Sequence, residues 1–252
     1  MNLYFETTAM KGASEVGSIL LRYVMNNFAV LNENEERNLI IWSDRSAGQN
    51  NNWQLLCLFN QIIHLGYFTS ITQKFLVSGH SFMLCDSHFA RIEATMKRFP
   101  NITPLIYEEI FREASKTNPF HYILLEQQDF YDLNPLKRYL RRPSTLLISR
   151  NLIYRLSAAN LNIVQSKINH SEENWVDHFI RFNGRLINIA TQPRITDSPG
   201  YGARIELSLA KQYSVHQYFH FLEQHERDWY AQHVGYPPPP PPVENAEEIV
   251  VD

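Results

Sequence analysis

The chain has 252 residues, of which 44% are hydrophobic and 13% aromatic, so it can bury a sizeable core and is not a disordered polymer. Its formal net charge is −3, which excludes a protein that holds duplex DNA by overall charge. Any nucleic-acid contact must therefore rest on local basic patches.

Hydrophobic periodicity predicts alternating strands and helices in the N-terminal part of the chain. A short strand is predicted at residues 3–5 and a helix at residues 14–26, where apolar side chains recur on one face. Strand, helix, strand and helix then follow at residues 38–42, 53–64, 71–77 and 86–99. This order predicts two neighbouring parallel strands joined by a helical crossover. Functional groups in such sheets gather at the carboxyl ends of the strands.

The later elements are less regular and complete an α/β prediction. They are a helix at 103–116, a strand at 122–125, a short helix within 129–140, a hairpin of strands at 145–148 and 152–156, β-rich segments at 163–168, 175–180 and 186–189, and a helix at 208–226. We predict one domain over residues 1–232. Residues 233–252, with a run from Pro237 to Pro242 and an acidic end, are predicted to be a disordered tail.

Cysteine usage and the terminus bear on the compartment. Two cysteines, Cys57 and Cys85, exclude a disulfide scaffold and fit a reducing environment. The first residues lack the basic and apolar regions of a signal peptide, and no apolar run reaches the roughly 18 residues of a membrane span. We expect an intracellular protein, nuclear or cytoplasmic, without membrane contact; its oligomeric state is not predicted.

One candidate metal ligand is Asp44, which directly follows the apolar strand at residues 38–42. A carboxylate at the end of a rigid strand suits a divalent cation, which prefers oxygen ligands on a stiff frame. The alternative is that Asp44 caps the following turn, where Asp and Asn are common.

A second candidate segment starts at His80 and continues into the helix that carries Asp86, His88 and Glu93. Asp86 and Glu93 share a helix face but stand about 10 Å apart along the axis, so one metal cannot easily take both. The alternatives are a helix N-cap at Asp86, a solvated Glu93, and turn or surface histidines. An unrelated α/β enzyme holding one metal on His80, Asp86 and His88 is a further possibility.

The spacing of these motifs resembles a transposase-derived domain of unknown function, family 7869. The motifs are Trp-Ser-Asp-x-x-x-Gly-Gln-Asn-x-Asn at 42–52, Gly-His-Ser-Phe-x-x-x-Asp at 79–86 and Ile-Glu at 92–93. The segments at 7–16 and 115–120 also resemble the family. Their order over most of the chain is more specific than any single motif.

The resemblance implies a ribonuclease-H-like core, in which carboxylates on two strand ends and one helix hold two Mg²⁺ ions for cleavage of DNA strands. Asp44 matches the second acidic position of the family, and Asp86 or Glu93 matches the third. His80 lies in the family's glycine-histidine turn, where it would contact phosphate or a metal ligand.

Two departures from the family imply lost activity. The first acidic strand of the family lies upstream of Leu3, so we expect a core that lacks its first strands and is N-terminally truncated. Arg45 and Ser46 stand where the family has Asn-Cys, and a cation beside Asp44 weakens metal binding. The resulting hypothesis is an inactive transposase-derived nuclease domain, with a domesticated DNA- or protein-binding module without catalysis as the alternative.

Two further features concern partners. A dense basic stretch could contact phosphates or form a solvated face; it comprises Lys137, Arg138, Arg141, Arg142, Arg150 and Arg155. The prolines from Pro237 to Pro242 could bind an SH3- or WW-type module, or serve as a linker. A basic groove beside Asp44 would favour nucleic acid as the ligand, whereas an apolar patch would favour a protein.

Overall fold

A computed structural model describes residues 1–77, 82–182, 185–186, 188 and 191–233. The chain divides into two compact units. The first consists of Met1–Phe89 and Tyr122–Arg204, and the second of Ala90–His121 and the described residues that follow Arg204. The predicted α/β class is confirmed, since helices and a mixed sheet both contribute.

Seven α-helices lie in the described residues. They are α1 (Ala13–Asn27), α2 (Trp53–His64), α3 (Leu84–Met96), α4 (Tyr107–Ala114), α5 (Asn134–Tyr139), α6 (Leu209–Tyr218) and α7 (Gln224–His233). None of the helices in this part of the chain has the length and apolar character of a membrane span.

A five-stranded sheet forms the centre of the first unit. Its strands are β2 (Asn38–Ser43), β3 (Ser70–Phe75), β5 (Ile153–Ser157), β6 (Ile163–Lys167) and β7 (Val176–Phe179), in that spatial order. β2 and β3 are parallel, as the strand–helix–strand order predicts, with α2 between them in sequence. β5, β6 and β7 continue the sheet as antiparallel neighbours, which confirms a β-rich extension after residue 152.

Two small strand pairs lie outside this sheet. β1 (Asn2–Leu3) pairs in parallel with β4 (Ile123–Leu124). β8 (Arg181–Phe182) pairs antiparallel with β9 (Arg185–Leu186). The pair of β1 and β4 joins the start of the chain to residues 123–124, which follow the segment Ala90–His121 of the second unit.

The face of the sheet that carries Ile71, Gln73 and Phe75, which we call the inner face, is covered by helices. These three side chains alternate along β3 and are buried. The apolar helix α2 packs on β3 and β5, and it contacts α1 and α5. Leu58 of α2 is fully buried in this core. Burying the inner face against α2 supplies the main hydrophobic stabilisation of the unit.

The opposite face, here called the outer face, carries the alternate side chains of the same strands. Ile40 and Trp42 of β2 are exposed. Thr72, Arg155 and Gln165, on the middle strands β3, β5 and β6, are half-buried. The outer face is therefore open to solvent along the edge strand β2. Its remaining strand residues are Asn38, Ser70, Lys74, Ile153, Ser157, Ile163, Lys167, Asp177 and Phe179.

Two predicted elements were wrong. Residues 145–148 do not form a hairpin with 152–156; Ile148–Arg150 is a 3-10 turn, because Tyr154 and Asn151 donate hydrogen bonds to the carbonyl groups of Ile148 and Leu147. The predicted helix at 208–226 is broken between α6 and α7. Glu226 caps a new helix by accepting a hydrogen bond from the Glu223 amide at 2.9 Å.

The second unit is helical and has its own small core. Ile92, Ile110 and Phe111 are buried in it, together with Leu222. Asn101 donates a hydrogen bond to the Phe221 carbonyl at 3.2 Å, which ties the two chain segments of this unit together.

Candidate nucleic-acid interface

The loop between β2 and α2 is held in shape by Asp44. Oδ1 of Asp44 accepts hydrogen bonds from the Ser46 amide at 3.1 Å and from Nδ2 of Asn50 at 2.6 Å. The carboxylate therefore performs the turn-capping role that was the alternative to metal binding. Asp44 itself is exposed, at the carboxyl end of a parallel strand, as the sequence predicted.

Two more contacts fix this loop against the sheet and the helix. Nε2 of Gln73, a buried residue of β3, donates to the Asn50 carbonyl at 3.0 Å. Oδ1 of Asn52 accepts from the Leu55 amide at 3.1 Å and so caps α2. The polar residues of the motif at 42–52 thus build a rigid loop at the N-terminus of a 12-residue helix.

Arg45 points from this loop to the segment that precedes β5. Its Nη2 donates to the Ser149 carbonyl at 2.5 Å. Nδ2 of Asn51 makes a long contact of 3.5 Å with the Ile148 carbonyl. These contacts set one wall of a pocket of about 760 Å³ between the loop and residues 146–149.

The short helix α5 forms another wall of this pocket. Nε2 of Gln54, in the first turn of α2, donates to Oδ1 of Asn134 at 3.2 Å. The indole nitrogen of Trp53 donates to the Leu140 carbonyl at the other end of α5. Because both ends of α5 are tied to α2, Lys137 of α5 is placed on the pocket wall.

The pocket is electropositive. Three cations, Arg45, Lys137 and Arg142, line it, and no Asp or Glu is among its described lining residues. The first turn of α2 also faces it and has no acidic residue, so the partial positive charge at that helix end is not offset there. We call this feature, lined by those three cations and by Asn51, Asn52 and Gln54, the cationic pocket. Such an arrangement attracts phosphate groups.

The other predicted site residues lie elsewhere. Asp86 accepts a hydrogen bond from the Met83 amide at 2.6 Å and caps the start of α3, where His88 is half-buried. Glu93 is exposed and belongs to the second unit. His80 and the prolines from Pro237 to Pro242 lie outside the described residues. Within the described ranges, no three His, Cys, Asp or Glu side chains group together as a metal site would require.

The basic stretch is divided by the fold. Lys137 and Arg142 reach the cationic pocket, whereas Arg155 lies on the outer face of the sheet, where its Nε donates to Oε1 of Gln165 at 2.8 Å. Sequence reasoning did not anticipate that Arg45 would join Lys137 and Arg142, because they are distant in sequence. The only local signal was the excess of cations after residue 136.

The hydroxyl group of Ser166 and the thiol of Cys57 could act as nucleophiles, but both have structural roles. Both ring nitrogens of His178 contact hydroxyl groups, Thr145 at 3.0 Å and Ser166 at 2.9 Å, and burial lowers the pKa of His178. Ser166 is itself buried, so no substrate reaches it in this conformation. Burial raises the pKa of the Cys57 thiol well above its ordinary value, which keeps it protonated and inert.

Comparison with known families adds one finding. Residues 2–171 match a family described as a domain of unknown function, DUF7869. The chain belongs to this family. No curated protein matches the chain, and neither does any solved structure.

The DUF7869 match begins at β1 and ends just beyond β6. It includes the Asp44 loop and the three cations of the cationic pocket. It confirms the family that the motif spacing indicated. The match names no activity, so the function of this DUF7869 domain has to come from its geometry.

Proposed function

We propose that this DUF7869 domain binds nucleic acid through the phosphate backbone, in the cationic pocket, and that it does not cleave its ligand. The observation that carries the proposal is the meeting of Arg45, Lys137 and Arg142 at the N-terminus of α2. A basic groove beside Asp44 is the feature that distinguishes a nucleic-acid ligand from a protein ligand.

The chemistry of the pocket fits phosphate. Arg side chains offer planar donors that match phosphate oxygens, and Lys adds a point charge. Nearby amide side chains, such as those of Asn52 and Gln54, can orient the backbone without reading sequence. The chain's formal charge of −3 gives DNA no general attraction to the surface, so binding depends on local cationic patches such as this one.

The ancestry that we propose is a transposase-type, ribonuclease-H-like nuclease. Its support is the parallel pair β2 and β3, with Asp44 at the carboxyl end of β2 and the family motifs around it. The described residues do not fit a Mg²⁺ centre. Asp44 accepts two hydrogen bonds on one oxygen, and no group of three possible ligands is present in the described ranges.

A binding assay tests the pocket. We expect a fluorescent DNA duplex to bind with an affinity that falls as salt rises, because phosphate contacts release counterions. The double substitution Lys137→Glu with Arg142→Glu should weaken binding at least about tenfold and reduce the slope of log affinity against log salt by about 2. Fluorescence anisotropy over a salt series measures both quantities.

The matched control is Arg138→Glu with Arg141→Glu, which makes the same charge change at neighbouring positions that do not line the pocket. This control should keep most of the affinity. Equal loss in both double variants would show that only overall charge matters, and the pocket proposal would then fail.

A nuclease assay tests the absence of catalysis. We expect no cleavage of single- or double-stranded DNA by the purified chain in Mg²⁺ or Mn²⁺, because the described residues supply too few carboxylates to offset two divalent cations. The Asp44→Ala variant is the control. Metal-dependent cleavage by the wild type that disappears in Asp44→Ala would restore the enzyme hypothesis.

A further inference from the structure

We propose that the outer face of the five-stranded sheet binds single-stranded nucleic acid by stacking bases on Trp42 and on the Arg155 guanidinium, which lies over Trp175. This site is separate from the cationic pocket, since it consists of strand side chains on a sheet face and not of the loop at the end of β2. The inference does not rest on the proposed function of that pocket.

Trp42 is the first stacking group. It lies on β2 with 48% of its surface exposed. His170 stacks against it with ring centroids 5.5 Å apart, and Nζ of Lys74 lies 5.3 Å from its ring centroid. An exposed indole with a cation beside it offers a base a stacking surface and its phosphate a counter-charge.

Trp175 repeats this arrangement at the other side of the sheet. It directly precedes β7, and it is half-buried because two cations lie over its ring. The guanidinium carbon of Arg155 is 4.3 Å from the ring centroid, and Nζ of Lys167 is 4.6 Å from it. Arg guanidinium planes also stack on bases, so the Arg155 guanidinium over Trp175 is a second platform. Neighbouring strands are about 4.8 Å apart, so the four intervals from β2 to β7 place the backbones at Trp42 and Trp175 roughly 19 Å apart across the sheet.

A polar hollow of about 390 Å³ lies on this face next to Arg155. Its lining offers hydrogen-bond donors and acceptors of the kind that base edges need, namely Asn38, Ser70, Arg155, Ser157, Asn160 and Gln165. An unpaired base that lies against the sheet can present its Watson–Crick edge to such groups, whereas a paired base cannot. The hollow therefore favours a single strand over a duplex.

The placement of charge favours nucleic acid over a protein partner. Lys74, Arg155 and Lys167 lie on the three middle strands of the outer face, whereas Asp177, which accepts a hydrogen bond from Gln165 at 2.8 Å, lies on the edge strand β7. Nζ of Lys167 also donates to the Glu172 and Glu173 carbonyls at 2.7 and 3.1 Å, in the segment that precedes Trp175. The exposed apolar residues Ile40 and Phe179 lie on the two edge strands and not in the middle of the face. A protein interface normally has its apolar residues at the centre and its charges at the rim, which is the reverse arrangement.

Intrinsic fluorescence of the full chain provides the test, with a single-stranded oligonucleotide of about 12 nucleotides as the probe. We expect saturable quenching of tryptophan emission. Trp42→Leu should weaken the single-strand affinity about tenfold or more, because a base loses the indole on which it stacks. Trp175→Leu should weaken it by a similar factor, because the Arg155 guanidinium loses the ring that holds it in place. Trp229→Leu, in the second unit, is the matched control and should keep the affinity.

Two further measurements distinguish binding at this site from binding at the cationic pocket. Lys137→Glu with Arg142→Glu should leave single-strand quenching in place, and Trp42→Leu should leave duplex affinity unchanged. Should a tryptophan variant fail to fold by circular dichroism, Lys74→Gln replaces it and should lower both the affinity and its salt dependence. The proposal is wrong if the single strand binds without quenching, if neither tryptophan variant weakens it, or if light scattering shows that the outer face instead pairs two copies of the chain.

Discussion

Gly17→Leu should destabilise the first unit by about 3 kcal/mol, a cost at the upper end of the usual range for overpacking. Gly17 lies on α1 where it crosses α2. A Cβ atom at this position would be 2.8 Å from Cδ1 of Leu133, 3.0 Å from Cδ2 of Leu58 and 3.3 Å from Cδ2 of Leu55. These neighbours crowd the position and belong to the buried core, so the larger side chain has to separate the helices.

Helix propensity acts in the opposite direction, which sharpens the test. Leu is a better helix former than Gly by roughly 0.7 kcal/mol, so any loss must come from packing. Met25→Leu, at an exposed position of α1, is the control and should change the free energy of unfolding by less than about 0.5 kcal/mol. Urea denaturation followed by circular dichroism measures both. A Gly17→Leu variant as stable as the wild type would show that α1 and α2 do not pack as described.

Ile40→Lys should slow aggregation of the chain severalfold. β2 is at the edge of the five-stranded sheet, and Ile40 on it is 57% exposed. An exposed apolar edge strand offers its unpaired amide and carbonyl groups to another chain, and a lysine at the edge opposes such pairing. Turbidity during incubation at elevated temperature measures the rate.

Val30→Lys serves as the control for this prediction. Val30 is 53% exposed but lies in a loop, so the substitution makes the same charge change away from any strand. Ile40→Lys should therefore slow aggregation more than Val30→Lys does. If both variants slow it equally, net charge and not the β2 edge controls aggregation.

Local patterns predicted the N-terminal half of the sheet well. The apolar run at 38–42 and the alternation at 71–75 each mark a strand, and the apolar helix between them requires parallel neighbours. The prediction failed at residues 145–148, because a β-prone run was taken to pair with the next run. β5 pairs instead with β3 and β6, and that choice depends on contacts distant in sequence.

The candidate site was predictable only in part. The position of Asp44 at a strand end followed from the sequence, because the apolar run at 38–42 predicts a strand and Asp44 comes just after it. Its hydrogen bonds to Ser46 and Asn50 did not follow, because the loop conformation decides them. The cationic pocket could not be predicted, since it joins Arg45 to residues near 140 through two ties between α2 and α5.

The interrupted first unit bears on how the protein emerges from the ribosome. β2 and β3 are synthesised early, but the next neighbour of β3 is β5, which begins at Ile153. The first segment of the second unit is made in between. Until β5 is available, the nascent sheet has two unpaired edges, and closing this long loop carries an entropic cost that slows folding. Translation therefore leaves a long interval in which a chaperone would have an apolar, two-stranded intermediate to protect.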